Sequence, residues 1–225
     1  MSIIESLCEK RVQRAYTVDY HFGYGYLYHN GGIGETYYSL LNTFIDTLPT
    51  SHNQPPIVCD IATGLSSVPG YIRSKGITCV GTDINLGALD NSKNILLEPT
   101  PLVQSTAWRL PFASESLAGV HMKDALVHMP SSKTLLREIH RVLKPRGTTM
   151  LVSEEPNLLM LFLSNVAVFS REPWYFPVNE NRIIRKASQQ GFSLLYTNDW
   201  SPSALSRDWY QGITTRFVLL LQKNE

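Results

Sequence analysis

The sequence predicts an α/β fold, a doubly wound and mostly parallel sheet with helices on both faces. Three observations carry this. From residue 57 onward, short β-rich runs alternate with longer stretches of helical periodicity, the pattern of βαβ units. The β-rich runs are nearly continuously apolar, as in strands buried on both faces. Hydrophobic residues make up 43% of the chain, enough to bury such a sheet.

The elements follow in order. The run IVCDI at 57–61 is rich in β-branched residues and reads as the first strand. A small-residue turn and a helix through 71–74 come next. TCVGT at 78–82 is the second strand, and 86–97 the following helix. LVQ at 102–104 is short and extended, and AGVHM at 118–122 is the fourth strand. In SSKTLLREIHRVL at 131–143, Ser131 and Ser132 are N-cap candidates, and Leu135, Leu136, Ile139 and Leu143 share one helical face. In the turn Lys144-Pro145-Arg146-Gly147, Pro145 stops the helix and Gly147 is expected to admit the chain into a fifth strand at 148–153. Residues 181–190 form a last helix closed by Gly191, and 192–196 and 216–221 are strands. Two strands so close together fit an antiparallel addition at the sheet edge.

Composition removes several functions. Lys and Arg number 20 against 19 for Asp and Glu, a net charge of +1, whereas a general nucleic-acid binder carries a clear basic excess. Cys8, Cys59 and Cys79 make neither a disulfide framework nor a metal spacing. The longest apolar stretch, 158–169, falls short of the roughly 20 residues that cross a bilayer. Glu5 and Glu9 interrupt any leader-like apolar run at the N-terminus, so a cytoplasmic setting is expected. Tyrosine is unevenly placed: seven of the 11 lie between residues 16 and 38, among five of the 14 glycines. The stretch PTSHNQPP at 49–56 separates this front from the alternating region.

Two carboxylates stand where a nucleoside ligand would need them. Asp60 lies near the end of the first strand, before the turn Ala62-Thr63-Gly64-Leu65-Ser66. Asp83 ends the second strand, where an acidic side chain can accept hydrogen bonds from both ribose hydroxyls. Each also reads more simply, as a turn or helix cap. Further pieces are Leu110-Pro111-Phe112, the run SLAGVHMKDALVHM at 116–129, and LREI-HRVLKPRG at 136–147. Together, over about residues 55–155, this series resembles the class I S-adenosylmethionine-dependent methyltransferases, most closely the ubiquinone/menaquinone-type branch.

The resemblance implies a Rossmann-like fold, S-adenosylmethionine as cofactor and S-adenosylhomocysteine as product. It implies that Asp60, Ala62, Thr63, Gly64 and Ser66 pass under the methionine part of the cofactor. Asp83 would hold the ribose, Ile84 the adenine face, and Thr106 and Ala107 the adenine edge. Lys123 would sit toward the methionine carboxylate. The sequence departs from the family's glycine-rich turn, keeping only the middle glycine, Gly64. Alanine at a left-handed position costs on the order of 1 kcal/mol.

Ahead of the sheet, Phe22-Gly23-Tyr24-Gly25-Tyr26-Leu27 with Gly31-Gly32 and Thr36 resembles a segment of the phosphoethanolamine methyltransferases. So does Asp124-Ala125-Leu126-Val127-His128-Met129. This resemblance implies catalytic roles for His128 and Asp124, with a tyrosine partner among Tyr16 and Tyr20, and places Tyr28 near the cofactor. Independently, an imidazole with a pKa near about 6.5 suits proton removal, and tyrosine faces suit cationic ligands. The simpler readings are a helix-start histidine on a backbone carbonyl and a tyrosine-packed cap. A metal set of His121, Asp124 and His128 is disfavoured, since His121 belongs to a strand, so no metal is expected.

One domain over 1–225 is therefore expected: an N-terminal helical lid over 1–50, a cofactor-binding core over 55–155, and a substrate cap with the last two strands over 156–225. The expected partner is a small-molecule substrate, either an amine or a hydrophobic natural-product-like compound. Neither nucleic acid nor a membrane span is expected, and the chain is read as a monomer or homodimer. The competing reading is a cofactor-binding or non-methylating protein on the same fold, motivated by Ala62 and Ser66.

Overall fold

The computed structural model describes residues 7, 10, 34–50, 54–64, 68–95, 100–156, 158, 161–162, 175–199 and 214–225. Their elements are α1 (Gly34–Asp46), β1 (Ile57–Ile61), α2 (Val68–Ser74), β2 (Thr78–Asp83), α3 (Leu86–Ile95), β3 (Leu102–Gln104), β4 (Leu117–Lys123), a 3₁₀ turn (Leu126–His128), α4 (Ser132–Val142), β5 (Leu143–Pro156), α5 (Glu180–Gln189), β6 (Phe192–Asp199) and β7 (Thr214–Lys223). The sheet has seven strands in the order β3-β2-β1-β4-β5-β7-β6. The first five strands are parallel. β7 runs antiparallel to both β5 and β6, so an antiparallel pair closes that side, as expected.

Strand parity sorts the core onto two faces. Cys59, Ile61, Val120, Met122, Leu151 and Leu219 pack against Leu135, Leu136, Ile139 and Val142 of α4 and against Ile183 and Ala187 of α5. On the other face, Val58, Cys79, Met150, Val152, Val218 and Leu220 meet Leu41 and Phe44 of α1 and Val68 and Ile72 of α2. Burial drives the Cys59 and Cys79 thiols well above their ordinary pKa, by desolvation first. Both are small apolar packing groups here.

Helix α4 forms where its pattern puts it. The Ser131 hydroxyl accepts from the Thr134 N–H at 3.2 Å, satisfying a first-turn donor. Its Glu138 and Arg141 explain why the Leu110-Pro111-Phe112 segment accompanies the helix motif. The Leu110 N–H donates to Glu138 Oε1 at 2.7 Å. Arg141 donates to Glu138 Oε1 at 2.7 Å, to Phe112 O at 3.0 Å and to Leu110 O at 3.3 Å. A helix face thus clamps a loop distant in sequence.

Arg141→Ala is expected to cost about 2 kcal/mol, because it strips partners from a carboxylate and two carbonyls. Denaturant unfolding measures it. Burial opposes Glu138 ionisation, but the Arg141 hydrogen bond and the Leu110 N–H outweigh it and hold the carboxyl below its ordinary 4.5. A carboxyl with a lowered folded pKa stabilises fully above the unfolded value. That contribution disappears as pH falls through the folded pKa, below 4.5. The native protein should lose it on acidification, and the Arg141→Ala protein should have less to lose.

Arg146 and Gly147 do different work in the turn after α4. The left-handed residue is Arg146, at φ 61°. Gly147 serves close approach instead: a Cβ there would lie 2.9 Å from the Lys144 carbonyl oxygen and 3.2 Å from that of Ala118. β5 also starts earlier than expected, at Leu143, and runs on to Pro156. Its far end is extended by nine register pairs with β7, a partner that local sequence pattern does not show.

Candidate active site

The strand order reverses between β1 and β4, and in open α/β sheets ligands bind beyond the carboxyl ends of the strands at such a point. The residues there come from β1, β2 and β4. At the end of β1, Ala62 stands at φ 55° and Gly64 at φ 51°. The Thr63 N–H donates to Thr82 O at 2.9 Å, tying the turn to β2. Gly81 leaves room for Thr63, since a Cβ there would lie 3.0 Å from its Cγ2 and 2.7 Å from a Leu102 methyl.

Asp83 closes the turn from the other side. Its Oδ2 accepts from the Gly64 N–H at 2.9 Å and its Oδ1 from the Asn85 N–H at 2.8 Å. Burial pushes its carboxyl above the ordinary range, against the pull of these N–H groups, and the nearby Asp60 charge pushes the same way. Asp83 is not the cap of α3. Asn85 is, its Oδ1 accepting from the Ala88 N–H at 3.2 Å. Half-buried Ile84 follows Asp83, its carbonyl held by Gln104 Nε2 at 3.0 Å. Thr106 bridges to Arg109, and Ala107 is buried beside them.

Asp60 is engaged entirely within the protein. Oδ1 meets His121 Nδ1 at 2.5 Å and Oδ2 accepts from the Thr63 hydroxyl at 2.6 Å. His121 Nε2 in turn meets the Tyr37 hydroxyl at 2.5 Å. Parallel pairing sets residue 60 directly opposite residue 121, so both side chains leave the sheet on the face covered by α1. His121 is thereby drawn into this chain of hydrogen bonds. Among the described residues no group of His, Cys, Asp and Glu is placed to hold a metal.

At the end of β4, Asp124 sits at φ 55°, a conformation aspartate tolerates better than most residues. Its Oδ2 accepts from Lys123 Nζ at 2.6 Å and lies 3.5 Å from Arg216 Nη1. Lys123 Nζ also stands 5.7 Å from the centre of the Tyr37 ring. At the last residue of the 3₁₀ turn, His128 is buried, and its N–H reaches Ala125 O at 3.0 Å. Its ring meets Tyr175 edge-on with 4.8 Å between centroids. Phe176, next to Tyr175, donates its N–H to Val127 O at 2.7 Å.

The structure thus gathers Asp60, Ala62, Thr63, Gly64, Asp83 and Ile84 at one end of the sheet, with Lys123 and Asp124 on β4 beside them. Ser66, Tyr16, Tyr20, Tyr24, Tyr26 and Tyr28 lie outside the described residues. The sequence reading missed the partnership of Tyr37 with His121 and that of Tyr175 with His128. A polar histidine amid the apolar β4 run was the only signal for the first.

The sequence profile described as "Methyltransferase domain" matches residues 59–151. Residues 59–151 are thus similar to a methyltransferase domain. An uncharacterised methyltransferase of Synechocystis is 32% identical over 114 residues, 50% of this chain and 53% of the relative. A demethylmenaquinone methyltransferase of Staphylococcus epidermidis is 30% identical over 107 residues, 47% of this chain and 44% of the relative. The chain spans about half the length of the curated relatives it matches. An S-adenosylmethionine-dependent methyltransferase structure from Methanosarcina mazei superposes with a TM-score of 0.63 at 18% identity, covering 81% of this chain and 97% of that one, a likeness of fold.

Similarity to methyltransferases implies S-adenosylmethionine as cofactor, and the residues present suit it. A ribose needs a fixed acceptor for two hydroxyls, which the Asp83 carboxylate offers at the end of β2. Ala62 and Gly64 take positive φ in the turn that follows β1. Among the described residues no helix is long and apolar enough to cross a membrane.

Proposed function

We propose that this chain transfers a methyl group from S-adenosylmethionine to a small-molecule acceptor with an apolar body. The observation that carries this reading is Asp83, buried at the end of β2 next to β1 and fixed by the Gly64 and Asn85 N–H groups. When bound, the cofactor supplies an electrophilic methyl on a sulfonium.

The chain's own residues align, shield and accept a proton. Asp83 binds the ribose hydroxyls, Ile84 covers the adenine and Ala107 lines its edge. His128, its ring oriented by Tyr175, takes the proton from the acceptor heteroatom. A positioned base of this kind contributes about 10²–10⁴-fold.

Two observations favour the apolar acceptor over a small amine. Lys123 and Arg216 already occupy Asp124, so an ammonium would compete with two cations for one carboxylate. Past the carboxyl end of β5, Leu158 and Phe162 are helical and well exposed, apolar surface that suits a greasy substrate. One matched relative is named for demethylmenaquinone, in keeping with this class.

A specific observation favours a second reading. Ala62 holds a left-handed conformation that glycine adopts freely, and a cofactor-binding protein without turnover would tolerate that strain. Calorimetric titration with S-adenosylmethionine and S-adenosylhomocysteine, then a mass-spectrometric screen of phenols, quinols, carboxylic acids and amines, separates the two. Binding with no methylated product from any class supports the second. No binding at millimolar ligand removes both.

A further inference from the structure

We infer that Tyr37, His121 and Asp60 form a buried clamp that holds the Ala62–Gly64 turn open for the cofactor, substituting for the glycine that this turn lacks. The inference rests on the cofactor reading above and assigns positioning roles to residues it left without one.

The turn has a conformational problem. Ala62 sits at φ 55°, where its Cβ crowds the backbone, and such a conformation persists only when its surroundings over-determine it. The surroundings here do so through a continuous hydrogen-bonded chain. Thr63, the next residue, gives its hydroxyl to Asp60 Oδ2 at 2.6 Å. A carboxylate only accepts, so His121 Nδ1 donates to Oδ1. In the neutral imidazole, Nε2 is then an acceptor, and the Tyr37 hydroxyl donates to it.

Burial makes the chain stiff. Asp60, Thr63, His121 and Tyr37 are each at most 5% exposed, and hydrogen bonds in such surroundings are stronger than in water. Phe44 lies against the His121 ring, with centroids 6.5 Å apart, so α1 fixes the imidazole from the side. Asp60 has both oxygens engaged within this chain. It therefore anchors the turn from side chains, whereas the two Asp83 oxygens accept from the Gly64 and Asn85 backbone N–H groups.

The inference has a quantitative consequence. Without the clamp, the strain at Ala62 leaves the turn open about one-sixth of the time, and apparent affinity falls by that fraction. With glycine at 62, the unclamped turn is open about half the time. Loss of the clamp should therefore matter less once residue 62 is glycine.

The test is a set of double-mutant cycles in the full chain. Thr63→Val removes the link between clamp and turn with little change of shape, and His121→Leu removes its centre. Each is made with Ala62 and with Ala62→Gly. By calorimetry, S-adenosylhomocysteine affinity should fall about sixfold with Ala62 and about twofold with Gly. Tyr37→Phe should act in the same direction more weakly. His121→Asn keeps a donor for Asp60 and should retain affinity within about twofold. Equal losses in both backgrounds overturn the clamp.

Thermal unfolding gives a readout that needs no ligand. Ala62→Gly should raise the Tm by about 2–4 °C in the native background. It should raise the Tm far less alongside Thr63→Val, where the turn has already relaxed. The same gain in both backgrounds overturns the inference. If S-adenosylhomocysteine fails to bind the unmutated protein, the cofactor reading falls, and the Tm cycle still decides whether the clamp exists. Thr63→Val keeps the test standing should His121→Leu fail to fold, because it leaves the Asp60 charge paired with His121.

Discussion

Asp83→Ala is expected to weaken S-adenosylhomocysteine binding by about a hundredfold. The carboxylate would accept from two ribose hydroxyls, and hydrogen bonds to a charged group contribute about 1.5–3 kcal/mol each. A hundredfold corresponds to about 2.7 kcal/mol, within what one to two such bonds supply. The substitution also frees the Gly64 and Asn85 N–H groups that Asp83 now holds, loosening the turn. Asp83→Asn keeps the shape and one good acceptor, so its loss should be about tenfold. Calorimetric titration measures both, with circular dichroism to confirm folding. Near-native affinity in the alanine variant would place the ribose elsewhere.

The second large effect is expected at His128. His128→Ala should lower kcat by about 10²–10³-fold, the range for a lost general base. Affinity for S-adenosylhomocysteine should stay within about twofold, since the role proposed for His128 is toward the acceptor. Tyr175→Ala should also lower kcat, by about tenfold, because the His128 ring loses the edge that orients it. Tyr175→Phe keeps that edge and should keep most of the rate. Steady-state kinetics with the acceptor from the product screen reads all three. Unchanged turnover in His128→Ala makes the histidine a packing residue.

These two predictions draw on different parts of the sequence reading. Asp83 was legible because its chemistry is local: an acidic residue closing an apolar run marks a strand end, and strand ends of parallel sheets meet ligands. His128 came through the resemblance of its segment, but its partner did not. The tyrosine sought near residues 16 and 20 lies outside the described residues, whereas Tyr175 arrives from far along the chain, held by the Phe176 bond to Val127. Asp124 came through the same resemblance, in a segment whose neighbouring cation is Lys123. Arg216 comes from β7 and reaches it only in the folded sheet.

The turn after β1 shows the same division. Its missing glycines were plain in the sequence, as was their conformational cost. The compensation was invisible, because Tyr37, Asp60 and His121 belong to α1, β1 and β4.

By itself the sequence determined the alternation of strands and helices, the capped and amphipathic α4 and the acidic strand ends. These follow from periodicity, propensity and short motifs, which act over a few residues. Only the tertiary structure decided that Asp60 meets His121 and Thr63 while Asp83 meets the Gly64 and Asn85 N–H groups. It also decided that Arg141 bolts a distant loop to its helix and that Arg146, not Gly147, takes the left-handed position. The physical reason is register. Which residue stands opposite which across β1 and β4 is set by packing of the whole sheet, and a slip of one position would turn His121 to the other face.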